Sequence, residues 1–472
     1  MDLNKHTKTV LIIIVLALSL FLNLFQLGKY PLFDWDEATY AHVADNTLRN
    51  SDWLAFKKLD KDWFEKPPFY IWSMMLSFKV FGVSEFNARL PSALSGVIIT
   101  VLLFLLVLEL SNNYWLALFA SLILLFTPPF LTLGRQARVD IPVITAILFS
   151  LYSFIRGQLK EKWLLGFGAG IGIGVMIKSV IGLFAIPLAL IFSLLYRKWD
   201  WIKNKYFWFS LALMILIIAP WHIYELYRFG GQFWDNYFNF HVLRRITTAM
   251  GHAAGLSVYL NNLYVGVRPW SIVFVILLPI MLFTGFKKMQ NDQRAAWFGL
   301  AGALLIFVTF SIPKTKLWPY LLPIFPFSAI FISAALFFVF QRVFRTGARY
   351  PLILISIIIL AMGFRTTLNE AIIDPYRDIP QVFDERDVGI LLESRPLPEE
   401  VYICCWVTQE TLIYYGRRKL INVTNTNEFP INKNHFFIIP TQYLNDLFNS
   451  TPFYKTAKIA YNGKFLTLFQ VE

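Results

Sequence analysis

The segment Pro31-Leu-Phe-Asp-Trp-Asp-Glu-Ala-Thr-Tyr-Ala-His brings three carboxylates together, Asp34, Asp36 and Glu37, directly after an apolar run. A carboxylate at a membrane surface is costly unless it is solvated, paired or used. At the rim of a dry cavity its pKa rises, and it can then take a proton from an incoming hydroxyl or amine. The competing reading is an acidic loop that caps a helix starting near Ala38. A second cluster, Asp62-Trp-Phe-Glu-Lys-Pro-Pro, offers Glu65 and Lys66, which can pair with each other. In Arg135-Gln-Ala-Arg-Val-Asp-Ile-Pro, Asp140 can pair with Arg135 or Arg138. Lys178 in Met176-Ile-Lys-Ser-Val reads as a lysine reaching from a helix end to the membrane surface. Lys314, Lys316 and Tyr320 in Pro313-Lys-Thr-Lys-Leu-Trp-Pro-Tyr are residue types that anchor helix ends at that surface.

The elements that must position these groups lie in a membrane. The chain has 472 residues, of which 57% are apolar and 15% charged, and its mean hydropathy is +0.54, which excludes an ordinary soluble enzyme. The net charge of +13 is spread over short clusters between apolar runs, so it does not form the patch that a nucleic acid would need. Eleven apolar runs, at about residues 9–28, 90–110, 114–133, 141–155, 163–180, 182–196, 206–224, 270–286, 295–312, 317–340 and 351–364, have roughly the length that crosses a hydrocarbon core.

With Lys5 and Lys8 inside, alternate loops carry Arg156 to Lys162, Arg197 to Lys205, Lys287 to Arg294 and Arg342 to Arg349, the expected cytoplasmic bias of basic residues. The same parity puts segments 29–89 and 225–268, and everything after about 365, outside. The double proline Pro67-Pro68 opens a helix that lies along the outer surface. Residues 366–472 regain charge and show short β-rich runs, 401–407, 412–415, 419–423, 436–440 and 466–471, which predict a small α/β domain outside the membrane. The expected fold is therefore a polytopic α-helical membrane protein with external juxtamembrane helices and this C-terminal domain, divided as 1–365 and 366–472. The glycines at 166, 168, 170, 172 and 174 miss the dinucleotide fingerprint and suit close helix packing in lipid. The neighbours Cys404 and Cys405 predict neither a bridge framework nor a zinc cluster.

The ordered set of an Asp-Glu-Ala-x-Tyr-Ala loop, Glu-Lys-Pro-Pro, Phe-Gly-x-Ser-Glu-Phe-x-x-Arg-Leu-Pro-Ser, Arg-x-x-Arg-x-Asp and Lys-x-x-x-Tyr-Leu-Leu-Pro resembles the membrane glycosyltransferases of the C-type fold. The nearest likeness is to the branch of the bacterial aminoarabinose lipid A transferases and the dolichyl-phosphate-mannose protein mannosyltransferases, over about residues 1–340. The resemblance implies a sugar donor linked to polyprenyl phosphate, no nucleotide cofactor, and a site on the periplasmic side of the bacterial inner membrane. The implied acceptor is lipid A, a protein or another envelope glycan.

By resemblance, Asp36 is the general base or acceptor-positioning group, with Glu37 in support. Where the aminoarabinose branch has an arginine just beyond the pair, this chain has Thr39. Lys66, Lys178, Lys316 and Tyr320 match groups facing the donor phosphate, a role lysine suits as a point charge. Arg244 and Arg245 face either phosphate or headgroups. Asp140 takes a catalytic or positioning role by resemblance and a structural ion pair otherwise. The resemblance gives Glu65 and His241 to a divalent cation, although Phe240 replaces a glutamate that often precedes that histidine. Otherwise Glu65 pairs with Lys66 and His241 lies at the interface. Two further readings stand beside a transferase of single sugars: a flippase for lipid-linked glycans, and a ligase for preassembled ones. A flippase would carry charge near the midplane in repeated halves, whereas these charges lie at one face.

Overall fold

In the computed structural model, which describes residues 3–33, 35–248, 255–283, 289–343, 349–375, 380–394, 400–405, 407, 409–430, 435–450 and 457–471, the apolar runs fold as helices. Asp34, Lys287, Lys288 and Arg345 lie outside the described residues, as do the side chains of Lys5, Arg245 and Arg349. Among the described residues, eight helical stretches are long and apolar enough to cross a membrane, and up to ten if two bent pairs each count as one span. The bent pairs are Tyr114–Leu125 with Pro128–Gly134, at 67°, and Leu256–Val265 with Trp270–Phe283, at 100°. The protein is a multi-span membrane protein. The apolar runs 163–180 and 182–196 fall within one helical stretch, Glu161–Tyr196. No polar loop divides them, and the break comes at Ser179, whose φ of 49° and ψ of −135° end helix Leu164–Lys178. The proline-led helix Pro68–Phe81 is not among the candidate spans.

The chain divides into two compact units. The first comprises Met1–Leu27, Phe64–Tyr70 and Leu90–Pro375. Its glycine-rich helix Leu164–Lys178 packs against Asp140–Gly157 and Lys205–Phe229. A Cβ added at Gly168 would meet the Ser210 carbonyl oxygen at 1.8 Å, and one at Gly170 would meet Ser150 Oγ at 2.3 Å. The alternating glycines are thus contact surfaces for two neighbouring helices, which leaves no room for a nucleotide.

The second unit comprises Gly28–Trp63, Ile71–Arg89 and Tyr376–Glu472. Here helix Asp36–Asn50 leads into the hairpin β1 (Lys57–Lys58) and β2 (Lys61–Asp62). The C-terminal residues form a five-stranded sheet from β3 (Val401–Cys404), β4 (Leu420–Val423), β5 (Phe436–Pro440), β6 (Ala457–Asn462) and β7 (Leu466–Val471), in the order β4-β3-β5-β7-β6. Strand β3 runs parallel to β4 and β5, and β7 is antiparallel to β5 and β6. Apolar side chains fill both faces: Ile403, Leu412 and Leu468 on one, Cys404, Phe437 and Phe469 on the other.

Three local expectations change. Leu412 to Tyr415 lies within helix Glu410–Gly416, because a four-residue apolar run fits a fully buried helix turn as well as a strand. Strand β6 was not expected, since its Lys458 and Asn462 break the apolar pattern. Cys404 and Cys405 are joined by a disulfide, with Cα atoms 3.8 Å apart and φ of 66° at Cys405. The usual Cα separation describes bridges between distant residues and does not forbid a ring closed between neighbours.

His42 ties helix Asp36–Asn50 to the hairpin. Its Nε2 accepts the Leu59 backbone N–H at 3.1 Å, which requires an unprotonated nitrogen. Burial, then the nearby Lys58 ammonium, pushes its pKa from 6.5 down to about 4. Between these values the unfolded chain binds more protons than the folded one. Stability is therefore fully present above pH 6.5 and falls by about 3 kcal/mol as the pH drops toward 4.

Two outcomes are expected. Gly168→Ala lowers the thermal midpoint in detergent, at a cost of about 1–3 kcal/mol, whereas Gly231→Ala, with nothing within 4 Å of the added carbon, leaves it nearly unchanged. Hydrogen-exchange protection of residues 36–62 falls between pH 6.5 and 4, and His42→Gln, whose amide oxygen accepts the same N–H, removes that dependence.

Candidate functional site

A cavity of about 220 Å³ in the first unit is lined by Glu65, Lys66, Lys178, Tyr237, His241 and Tyr320, with apolar side chains between them. Each polar group arrives at a break in regular structure. Glu65 and Lys66 precede the proline-led helix Pro68–Phe81, where Pro67 and Pro68 exclude the preceding residue from helical geometry. Lys178 is the last residue of its helix. Tyr237 and His241, four apart, share one face of the π-helix Trp234–Arg244, whose wide turn is often found at functional sites. Tyr320 lies on the 3-10 turn Trp318–Leu321, with Pro319 at its start.

The electrostatic centre is a buried ion pair. Lys178 Nζ lies 2.5 Å from Asp140 Oδ1, and Arg138 Nε lies 3.3 Å from Asp140 Oδ2. The lysine ammonium also sits over the Tyr320 ring, 5.1 Å from its centroid. Asp140 thus carries the structural ion pair that its sequence context allowed, with Arg138 as the arginine partner. Arg135 instead donates to the carbonyls of Leu22, Asn23 and Phe25, closing the end of helix Leu3–Leu24. Lys66 Nζ lies 3.8 Å from Glu65 Oε2. Lys316 does not line the cavity; its ammonium donates to the Pro313 carbonyl at 2.6 Å. Burial pushes the Tyr237 phenol up, so its hydroxyl keeps its proton.

In the second unit, Asp36 and Glu37 occupy the first turn of helix Asp36–Asn50, where the helix dipole favours acids. Glu37 is 1% exposed, and both of its oxygens are engaged by Arg89: Nε to Oε1 at 2.8 Å and Nη2 to Oε2 at 2.9 Å. Glu37 Oε2 also accepts the Phe33 N–H, and Arg89 donates to the carbonyls of Tyr30 and Pro31. This pair fixes the loop that presents Asp36. Asp36 Oδ1 accepts from the Tyr40 hydroxyl at 3.1 Å. Thr39 donates to Glu410 at 3.1 Å within the same unit, so it has a structural partner.

Sequence reasoning named Glu65, Lys66, Lys178, His241 and Tyr320 and missed Tyr237, Ser179 and Arg89 as parts of these two arrangements. Arg89 was legible only as part of Asn87-Ala-Arg-Leu-Pro-Ser; Tyr237 and Ser179 carry no spacing signal. Chemically, the cavity offers two ammonium groups, two phenols and apolar walls, which suits an anionic headgroup on an apolar chain. Glu65 and His241 supply one carboxylate oxygen and one imidazole nitrogen, and no cluster of three or more metal-binding side chains occurs among the described residues.

A family model described as dolichyl-phosphate-mannose-protein mannosyltransferase matches residues 65–224. An undecaprenyl phosphate-alpha-4-amino-4-deoxy-L-arabinose arabinosyl transferase of Pectobacterium atrosepticum is 29% identical over 337 residues, covering 69% of this chain and 58% of that protein. The chain thus spans less than two thirds of that relative's length. Among solved structures, ArnT of Cupriavidus metallidurans bound to undecaprenyl phosphate superposes with a TM-score of 0.77 at 18% identity over 98% of each chain. The Archaeoglobus fulgidus oligosaccharyltransferase in complex with Zn and sulfate gives 0.60 at 13%, over 92% of this chain and 68% of that one. The fold is that of the C-type membrane glycosyltransferases, and the chain resembles the aminoarabinose and mannosyl transferases in sequence.

Arg89→Met leaves the Glu37 charge buried without its cation and costs about 3–5 kcal/mol. Glu37→Gln combined with Arg89→Met recovers part of the lost thermal midpoint in detergent; full additivity of the two losses would show that the pair is not what holds this loop.

Proposed function

We propose that the chain is an integral-membrane glycosyltransferase that moves a sugar from a polyprenyl-phosphate donor to a cell-envelope acceptor, at the periplasmic face of a bacterial inner membrane. The carrying observation is that Lys66, Lys178 and Tyr320, distant in sequence, line one cavity with apolar walls. A lipid-linked phosphate needs both: cations for the headgroup and apolar surface for the first isoprene units.

Phosphate leaves a sugar readily once its charge is balanced, so the site must hold cations near it and a base near the nucleophile. Lys66 and Lys178 supply the first. Asp140, paired with Lys178 at 2.5 Å, orients its ammonium and so acts as a positioning residue. Asp36, by the family likeness, takes the proton of the acceptor hydroxyl or amine. The acceptor atom forms its bond to the anomeric carbon while the carbon–oxygen bond to phosphate breaks, its electron pair staying on the phosphate. A single displacement of this kind inverts the anomeric centre. Glu37, held by Arg89, positions the loop before Asp36.

Glu65 and His241 line the same cavity as the two lysines, and their carboxylate and imidazole are the groups that would hold a divalent cation there. Such an ion, when bound, would add positive charge beside the leaving phosphate. Lipid A, protein and other glycans remain alternative acceptors, and the sheet of the second unit offers a surface that can select among them.

Purified protein incubated with a labelled undecaprenyl-phosphate monosaccharide and envelope extract is expected to transfer the label with inversion, and Asp36→Asn to reduce the rate by about 100-fold or more. Movement of the lipid across a vesicle without bond cleavage, or a sugar covalently bound to the enzyme, would overturn the reading.

A further inference from the structure

The second unit holds a cleft of about 670 Å³ that the proposed reaction does not use. Its walls come from helix Asp36–Asn50, the hairpin of β1 and β2, and the residues that follow helix Glu410–Gly416. Of the side chains lining it, only Ala55 and Leu59 are apolar. His42, Asp45, Asn46 and Arg49 line it together because spacings of three and four put them on one side of their helix.

The protein's own bonds fix these walls. Asn46 Nδ2 donates to the carbonyls of Lys57 and Leu59, each at 3.0 Å, and holds the hairpin against the helix. Asp45 accepts from Arg49 Nε at 3.2 Å and from Arg417 Nε at 3.3 Å, and Arg417 also donates to Glu393 at 2.5 Å. Two carboxylates thus balance the two arginines.

Other polar groups of the cleft are left over. His42 Nε2 accepts the Leu59 N–H, so in the neutral ring Nδ1 carries the hydrogen. His42 is 6% exposed, and among the described residues its Nδ1–H has no acceptor. A donor so deeply buried is costly to leave unsatisfied. The side chains of Lys57, Asp60 and Lys419 likewise form no hydrogen bond or ion pair among the described residues. With the carboxamides of Asn46 and Asn50, the cleft therefore mixes donors and acceptors. A hydroxyl both donates and accepts, so a polyhydroxylated ring suits such walls. An apolar chain finds little surface there, and a bare phosphate would meet Asp45, Asp52 and Asp60 beside the cations.

We propose that this cleft binds a saccharide, and that the envelope acceptor is recognised there through its glycan. The inference rests on the reading of the chain as a glycosyltransferase and names its acceptor class. Helix Asp36–Asn50 carries Asp36 in its first turn and Asp45 about 14 Å farther along its axis. One rigid element thus bears both the proposed base and a wall of the cleft.

The test applies labelled full-length protein in detergent to an array of defined di- and trisaccharides, with immobilised peptides and phospholipid vesicles as the competing classes. Wild-type protein is expected to be retained by saccharide. Asp60→Ala and Lys419→Ala each weaken that binding about 10-fold, the loss of one hydrogen bond to a charged group, and leave the thermal midpoint unchanged. In transfer to a glycan-bearing acceptor they raise the acceptor KM by the same factor without moving the donor KM. Lys57→Ala gives the same reading if Asp60→Ala disturbs the hairpin. Retention by peptide or vesicles instead of saccharide, no retention at all, or saccharide binding that these variants leave unaltered overturns the inference; the functional reading then stands if wild-type protein transfers labelled sugar. If wild-type protein binds saccharide but transfers no sugar, the functional reading fails and the cleft remains a saccharide site.

Discussion

A lysine and an aspartate buried side by side constrain everything else in the first unit. Lys178 and Asp140, with 15% and 4% of their side chains exposed, stand 2.5 Å apart at the ends of two membrane-spanning helices. Either charge alone in that setting would cost several kcal/mol, so the helix beginning at Asp140 and the helix ending at Lys178 must stay in register. Arg138 adds a second cation to the same carboxylate. The cluster therefore holds more cation than anion.

The helices meet this constraint through small residues. Without glycine at 168 and 170, helix Leu164–Lys178 would stand farther from Lys205–Phe229 and Asp140–Gly157, and Lys178 would end at a different depth. The polar residues of the cavity all sit where helices stop: at a proline pair, at a left-handed serine, on a π-helix and on a 3-10 turn. In the second unit the same logic appears with Arg89, whose guanidinium satisfies two carbonyls and a carboxylate and so freezes an irregular loop. Charged groups at these places hold irregular backbone in position.

Much of this was legible in the sequence. Apolar runs located the helices because lipid demands about twenty apolar residues in a row, and the glycines at 166 to 174 declared a packing face. Lys66, Lys178, Tyr320, Glu65 and His241 were legible through the family resemblance, which matches each to a motif position. Lys316 was matched in the same way yet donates to the Pro313 carbonyl, since a motif match does not say which way a side chain turns. Tyr237 and Ser179 look like ordinary interface residues; their places in the cavity lining depend on a π-helix and a left-handed serine, neither of which has a sequence period. Leu412 to Tyr415 failed for a related reason, because burial on all sides erases the difference between helix and strand.

The central claim, that the cavity of the first unit receives a lipid-linked phosphate, is tested most directly by photo-crosslinking. A polyprenyl phosphate bearing a photoreactive group beside the phosphate, followed by peptide mapping, should label residues within 65–67, 178–184, 237–246 and 309–320, and excess undecaprenyl phosphate should abolish the labelling. Labels confined to loops 156–163 and 197–205, or labels that unlabelled lipid does not displace, would contradict it.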